Sequence, residues 1–161
     1  MDVSDFRILF EEPVRAWFDW DAVDADDFRV EDRVLSDRED IGELYAVWHV
    51  DPEGNPGEWN HPQHRPLTVA EAASMSWPES RQEKLDRRRR ALSESDEPVV
   101  LTVPAYRAED VVVVLDSTHR LVAAYQAEAD LRLLVVTLVG PFSSSVLPGL
   151  AWFEDHPRNP D

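Results

Sequence analysis

The sequence predicts an α/β protein with a small mixed sheet, and three observations lead to this fold class. Apolar runs typical of strands alternate with helix-forming segments in the second half of the chain. Residues 111–115 are apolar without alternation, which indicates a strand buried on both faces. A helical segment, 118–128, and a second apolar run, 131–139, follow it. This order predicts a βαβ unit with parallel strands and a right-handed crossover.

The composition is that of a soluble globular protein. The 161 residues are 43% hydrophobic, which predicts a single domain over 1–161 with a substantial core. No apolar run approaches the ~20 residues of a membrane helix. The first residues, 1–5, are acidic and unlike a signal peptide, so a cytoplasmic location is expected. The absence of cysteine excludes disulfides, thiolate chemistry and cysteine-ligated zinc.

The formal net charge of −17 limits the classes of partner. It argues against nucleic acid, which requires clustered lysine and arginine, and against anionic membranes. Residues 1–60 hold 18 acidic and 5 basic residues, whereas residues 79–90 hold six basic and three acidic ones. We therefore expect the basic segment to pair with the acidic N-terminal region. The acidity favours solubility, and an acidic face for a basic protein partner is the alternative.

We predict that the N-terminal residues, 1–58, form an acidic, β-rich extension of the core. Strands are predicted at 6–10, 28–35 and 43–50, and more weakly in the aromatic stretch 14–20.

The core is predicted to cover residues 60–154. Residues 51–66 are rich in proline and glycine and predict a long loop. Thr68 and Glu71 have the spacing of a capping box, which predicts a helix start. A second helix is expected from Ser76 and Pro78 to about Ser93.

Three further segments complete this core. Residues 98–103 predict a strand and residues 104–110 a turn or short hairpin. Residues 143–154 predict a final helix that covers the sheet, and the tail, 155–161, is expected to be loose.

The corner between the predicted strand 111–115 and the helix after it carries the candidate site. It consists of Asp116, Ser117, Thr118, His119 and Arg120. A helix N-terminus presents unpaired N–H groups, to which the two hydroxyls can add donors. Basic residues in a first helical turn oppose the helix dipole, so His119 and Arg120 favour an anion there. The simpler interpretation is an ordinary N-cap with a surface arginine.

This run resembles the ligand corner of the ParB/sulfiredoxin-like superfamily. In that group a Gly-x-x-Arg or Gly-x-His-Arg run opens a helix and holds a nucleotide phosphate. The segment 119–126 is similar to the sulfiredoxin helix, and 60–65 is similar to the Asn-Pro-x-Gln-Pro-Arg loop of ParB. The resemblance covers roughly residues 60–140. It implies a ParB/sulfiredoxin-like fold and a nucleotide, with Mg²⁺ as a possible companion, at residues 116–120.

The departures from this family limit the activity. Thr118 stands where sulfiredoxin has its cysteine, so sulfiredoxin chemistry is excluded. Ser117 replaces the family's glycine, and no basic helix-turn-helix follows, which argues against DNA partitioning. Metal ligands could come from His61 and His64, with His49 upstream. The spacing of the first two is loop-borne and no cysteine assists, so we favour ordinary histidines over a metal site.

Three functional hypotheses remain open. The first is binding of a phosphate-bearing small molecule, a nucleotide by the resemblance, at residues 116–120, with Arg120 contacting the phosphate and Asp116 a metal ion or a ribose hydroxyl. The second is an acidic immunity- or antitoxin-like protein that binds a basic protein without chemistry. Its candidate anchors are four tryptophans, Trp17, Trp20, Trp48 and Trp59. The third is a scaffold remnant of the family whose site is degenerate.

Overall fold

Strands from the whole length of the chain meet in one sheet. A computed structural model describes residues 1–14, 18–23, 26–59 and 61–156. Within them, six strands form a single mixed sheet: β1 (Arg29–Leu35), β2 (Tyr45–Val50), β3 (Arg65–Thr68), β4 (Val99–Ala108), β5 (Val111–Val114) and β6 (Leu131–Val139). Their order is β1-β6-β4-β5-β2-β3. This arrangement confirms the α/β class.

β6 is apolar except for Arg132 and Thr137, which lets it pack on both faces. It runs antiparallel to β1 and parallel to β4, and Val135 lies opposite Arg33 and Val103. Leu133 and Val135 belong to one buried cluster, whereas Val136 belongs to a second. Since successive strand residues point to opposite faces, the sheet carries a core on each side.

Helices supply the other half of each core. They are α1 (Val3–Val14), α2 (Arg38–Gly42), α3 (Val69–Ser74), α4 (Glu79–Ser93), α5 (Thr118–Gln126) and α6 (Ala151–Asp155). Buried residues of α2, α3, α4 and α5 join the first cluster, and those of α1 and α6 join the second. No helix in the described part of the chain combines the length and the apolar content that spanning a bilayer requires.

The predicted βαβ unit is wrong in its pairing. β5 and β6 are separated by β4, and β5 is antiparallel to β4, which is parallel to β6. The segment 104–110 is mostly strand, because β4 continues through Pro104 to Ala108 before a tight hairpin. Because the chain reverses at this hairpin, β4 and not β5 is the parallel neighbour of β6.

The acidic N-terminal region is not an extension. β1 forms one edge of the sheet and β2 lies between β5 and β3. The strand predicted at 6–10 is wrong, since these residues lie within α1. Phe6, Phe10 and Val14 are four residues apart, which is helical spacing, and Phe6 and Val14 are buried. The aromatic segment 14–20 shows no strand among its described residues, and residues 15–17 lie outside them.

Most other local predictions are confirmed. Thr68 caps α3, and Thr68 and Glu71 form the reciprocal capping box. α4 begins directly after Pro78 and ends at Ser93. Two predictions needed correction: β3 begins within the loop predicted at 51–66, and the final helix is short, a 3₁₀ turn (Pro148–Leu150) followed by α6.

Candidate functional site: the corner between β5 and α5

The corner is a three-residue connection between a buried strand and a helix. β5 ends at Val114 and α5 begins at Thr118. Leu115 is fully buried and anchors the connection. Ser117 has a φ of 68°, in the left-handed region that favours glycine. The backbone therefore turns at Ser117, and its side chain forms no capping hydrogen bond with the helix.

The turn leaves an open cavity of about 250 Å³. All five predicted site residues, Asp116 to Arg120, line this cavity. β2 and α4 supply further lining residues, Val47, Trp48 and Arg88. The structure thus brings the predicted residues together around one space, where the connection after β5 leads into the first turn of α5.

Hydrogen-bond donors at this helix start are incompletely satisfied. The first backbone N–H groups of an α-helix have no partner within the helix. Thr118 lines the cavity and is only 6% exposed, yet its hydroxyl has no hydrogen-bond partner among the described residues. A buried hydroxyl without a partner costs free energy, which a ligand oxygen would recover.

Two arginines line the same cavity. Arg88 comes from α4 and Arg120 from the first turn of α5. Within the described part of the chain, neither arginine forms an ion pair, and Arg120 donates a 3.4 Å hydrogen bond to the Ser117 hydroxyl. Asp116 is half-buried at the cavity wall and also has no ion pair there. The cavity therefore has a net positive lining in a strongly acidic chain.

His119 lies between this cavity and the basic face of α4. Its ring packs edge-on against Trp48, with centroids 4.9 Å apart. Burial lowers the pKa of His119, and the positive charges of Arg81, Lys84 and Arg88 lower it further. Three cations of α4 therefore act on this ring in addition to its burial.

Trp48 and Arg81 fix the side of the corner nearest α4. The Arg81 guanidinium lies over the ring of Trp48 at 4.4 Å and over that of Trp77 at 4.7 Å. These stacked contacts attach the start of α4 to β2. They hold the helix that delivers Arg88 to the cavity.

Sequence reasoning missed the contributions of α4 and β2. The run of arginines at 87–90 was expected to pair with the acidic N-terminal region. Among the described residues, no basic side chain of α4 forms an ion pair with residues 1–60, and Arg89 pairs with Asp86 on its own helix. α4 packs against α5 instead, which brings Arg88 to the corner. The concentration of arginine at 87–90 was the signal that could have found it.

The loop histidines are engaged with one another and with the loop backbone. The rings of His61 and His64 stack at 4.0 Å, and the Nδ1 atom of His64 accepts a hydrogen bond from the Glu58 amide. His49 is buried on β2. No group of three potential ligands suited to a metal ion occurs among residues that the structure describes. Asn60, part of the ParB-like loop, lies outside them.

The tryptophans proposed as partner anchors have different environments. Trp20 and Trp48 are buried, so neither can anchor a partner on the surface. Trp59 is half-buried, and Trp17 lies outside the described residues.

Comparison with known proteins adds no relative. No family model, no curated protein and no solved structure matches the chain. The resemblance to the ParB/sulfiredoxin-like superfamily therefore stays a prediction.

Proposed function

We propose that this protein binds a phosphate-bearing small molecule in the corner cavity. One observation carries the proposal: Arg88 and Arg120 line the same cavity at a helix N-terminus, and neither forms an ion pair within the described residues. Unpaired cations close together repel each other, and a chain of net charge −17 has many carboxylates that could neutralise them. An anionic ligand accounts for their position.

Each group at the corner has a defined part in this binding. The free amides at the start of α5 and the Thr118 hydroxyl donate to phosphate oxygens. Arg120 and Arg88 make charge-assisted hydrogen bonds to the same oxygens from two sides. The left-handed turn at Ser117 points the following amides toward the ligand.

Asp116 and His119 define the rest of the ligand's polar contacts. Asp116 is the one carboxylate that lines the cavity within the described chain, and a carboxylate oxygen suits either Mg²⁺ or a ribose hydroxyl. Burial and the cations of α4 lower the pKa of His119, which favours the neutral ring, and this ring orients the phosphate through one nitrogen. A nucleotide with Mg²⁺ is the ligand that the resemblance implies. We assign no reaction to the site.

Isothermal titration calorimetry tests the proposal. Inorganic phosphate, ATP, CTP and GTP are titrated with and without Mg²⁺. We expect binding of at least one of them, and we expect Arg120→Ala and Arg88→Ala each to weaken it by about tenfold or more, since a charge-assisted hydrogen bond contributes about 1.5–3 kcal/mol.

Arg87→Ala is the matched control. Arg87 is an exposed arginine on the same helix that does not line the cavity. It removes the same charge and should leave the affinity nearly unchanged. An absence of heat with all four compounds, or equal weakening by Arg87→Ala and Arg120→Ala, contradicts the proposal.

A second candidate function rests on a different surface. α1 exposes Ile8 by 80% and Leu9 by 56% on an acidic helix. Apolar side chains surrounded by acidic ones suit a basic protein partner, as in immunity proteins and antitoxins. A pull-down at low and high salt tests it: the alternative requires a stoichiometric basic partner that is lost as salt rises, and Ile8→Ser should abolish its capture.

The degenerate-site hypothesis predicts a different arrangement at the corner, in which His119 and Arg120 are buried in internal pairs. Arg120 is exposed and has no ion pair among the described residues, which supports a functional site over a degenerate one.

A further inference from the structure

A second cavity adjoins the corner cavity. It has a volume of about 210 Å³ and lies between α4 and β4. Arg88 and Arg120 line both cavities, so these two side chains form the boundary between them. A ligand held by the two guanidiniums at the corner has direct access to this second space.

The chemistry of the second cavity differs from that of the first. Apart from the two arginines, its lining is aliphatic: Ala91, Leu92, Val99 and Leu101. It offers no side-chain hydroxyl, amide or carboxylate and no aromatic ring. With the two guanidiniums on the phosphate, the edge of a nucleobase would lose hydrogen bonds to water and find no other side-chain partner there, whereas a hydrocarbon would lose none.

We propose that the phosphate-bearing ligand carries a hydrocarbon chain, and that this chain lies between α4 and β4. The inference rests on the proposed function of the corner and names its ligand class, an alkyl or prenyl phosphate. The phosphate meets the amides of α5 and the buried, unpartnered hydroxyl of Thr118. The chain contacts Leu92 and Leu101.

Arginine is well suited to the boundary between the two parts. Its guanidinium binds phosphate oxygens, and its methylene stem packs against apolar groups. Arg88 and Arg120 therefore contact both ends of an amphipathic ligand. This explains why the same two residues line a polar and an apolar cavity.

The same head group occurs on free alkyl phosphates and on phosphatidic acid in a bilayer. The net charge of −17 repels an anionic membrane surface, so the free molecule is the source that we propose. Sedimentation with phosphatidic acid vesicles separates the two sources. We expect the protein to stay in the supernatant, and co-sedimentation would overturn the assignment to a free ligand.

The main experiment measures affinity against chain length. Inorganic, methyl, butyl and hexyl phosphate are titrated by calorimetry, all below the concentrations at which they aggregate. We expect affinity to rise by up to about fourfold per methylene, the value for burying a methylene group. Hexyl phosphate should also bind more tightly than AMP.

Two substitutions locate the chain. Leu92→Gln should remove the chain-length dependence and leave methyl phosphate binding unchanged. Ala91→Gln tests the same location at an exposed position of the second cavity, where the substitution does not put folding at risk. Leu9→Gln is the matched control, because Leu9 lies on α1 outside both cavities.

The outcomes separate this inference from the proposed function. If methyl phosphate binds but longer chains add nothing, or if AMP binds more tightly than hexyl phosphate, the hydrocarbon chain is wrong and the phosphate site stands. If none of the phosphates binds, the proposed function itself fails. If Leu9→Gln reduces chain-length dependence as much as Leu92→Gln, the chain does not lie between α4 and β4.

Discussion

Ser117 places a non-glycine residue in the left-handed backbone region, with a φ of 68°. This conformation costs an L-residue about 1–2 kcal/mol. Strain of this kind often persists at ligand sites because the surrounding structure holds it. We predict that Ser117→Gly raises the free energy of unfolding by about 1 kcal/mol, measured by urea denaturation.

The matched control for this prediction is Ser36→Gly. Ser36 is exposed and its φ is not positive, so glycine there should be neutral or destabilising. Equal stabilisation by both substitutions would show that the backbone at Ser117 stores no strain. Titration of Ser117→Gly with phosphate shows whether the Ser117 hydroxyl, 3.4 Å from Arg120, contributes to binding.

His49 makes stability depend on pH. It is 3% exposed, and burial lowers its pKa from 6.5 to about 4. The unfolded chain therefore takes up a proton between these two values while the folded chain does not. Stability from the neutral ring is complete above pH 6.5 and is lost as pH falls toward 4.

The loss from this one group should be roughly 3 kcal/mol, since each pKa unit corresponds to about 1.4 kcal/mol. Urea denaturation across this pH range measures it. His49→Gln should flatten the dependence, and His156→Gln, at an exposed histidine, should not. The same slope in wild type and His49→Gln would assign the pH dependence to other groups.

Among helices, α4 is the least embedded element of the site. Leu85 is its one buried residue, and the helix carries the cavity-lining Arg88. Its attachment therefore depends on Leu85 and on the stacking of Arg81. We predict that Leu85→Ala costs about 2–5 kcal/mol, measured by urea denaturation, and weakens phosphate binding, because it loosens the helix that holds Arg88.

Leu92→Ala is the comparison for this substitution. Leu92 is half-buried on the same helix, so it should cost less stability. Hydrogen exchange gives an independent readout. Relative to wild type, Leu85→Ala should accelerate exchange of the α4 amides more than exchange of the β6 amides. Uniform acceleration across both elements would indicate global destabilisation rather than detachment of α4.

Element identity followed from the sequence where the local pattern was unambiguous. The apolar run of β6, the Thr68–Glu71 capping box and the polar corner after β5 are local signals, and the structure contains all three. α1 was mistaken for a strand because the run 6–10 is apolar over a single helical turn. Its helical spacing appears only when Val14 is included.

The pairing of elements could not be predicted from local patterns. The predicted strand ended at residue 103, but Pro104 costs β4 only one hydrogen-bond donor, and its carbonyl still accepts a hydrogen bond from the Leu115 amide. β4 lies between β5 and β6 in the sheet, so these two strands are not neighbours and do not form the predicted βαβ unit. Arg88 reaches the corner through packing of α4 on α5, a contact between distant segments that no local motif encodes.

At the scale of the whole molecule, charge is the dominant feature. The net charge of −17 creates repulsion throughout the fold, because a net charge far from zero destabilises the compact state. The described ion pairs, such as Arg7–Glu11 and Arg65–Glu71, lie at least partly exposed and each contributes little. Screening should therefore relieve more repulsion than it removes attraction.

We predict that raising sodium chloride from low to physiological ionic strength increases the melting temperature at neutral pH. In a chain of this size, a gain of about 1 kcal/mol corresponds to a rise of about 2–4 °C. Chloride bound at the corner would also stabilise the fold by mass action. The Arg88→Ala/Arg120→Ala double variant separates the two causes, because it removes the anion site and leaves the acidic surface in place. If the melting temperature of this variant still rises with salt, the rise is due to general screening. If the melting temperature of both proteins falls with salt, the ion pairs outweigh the repulsion.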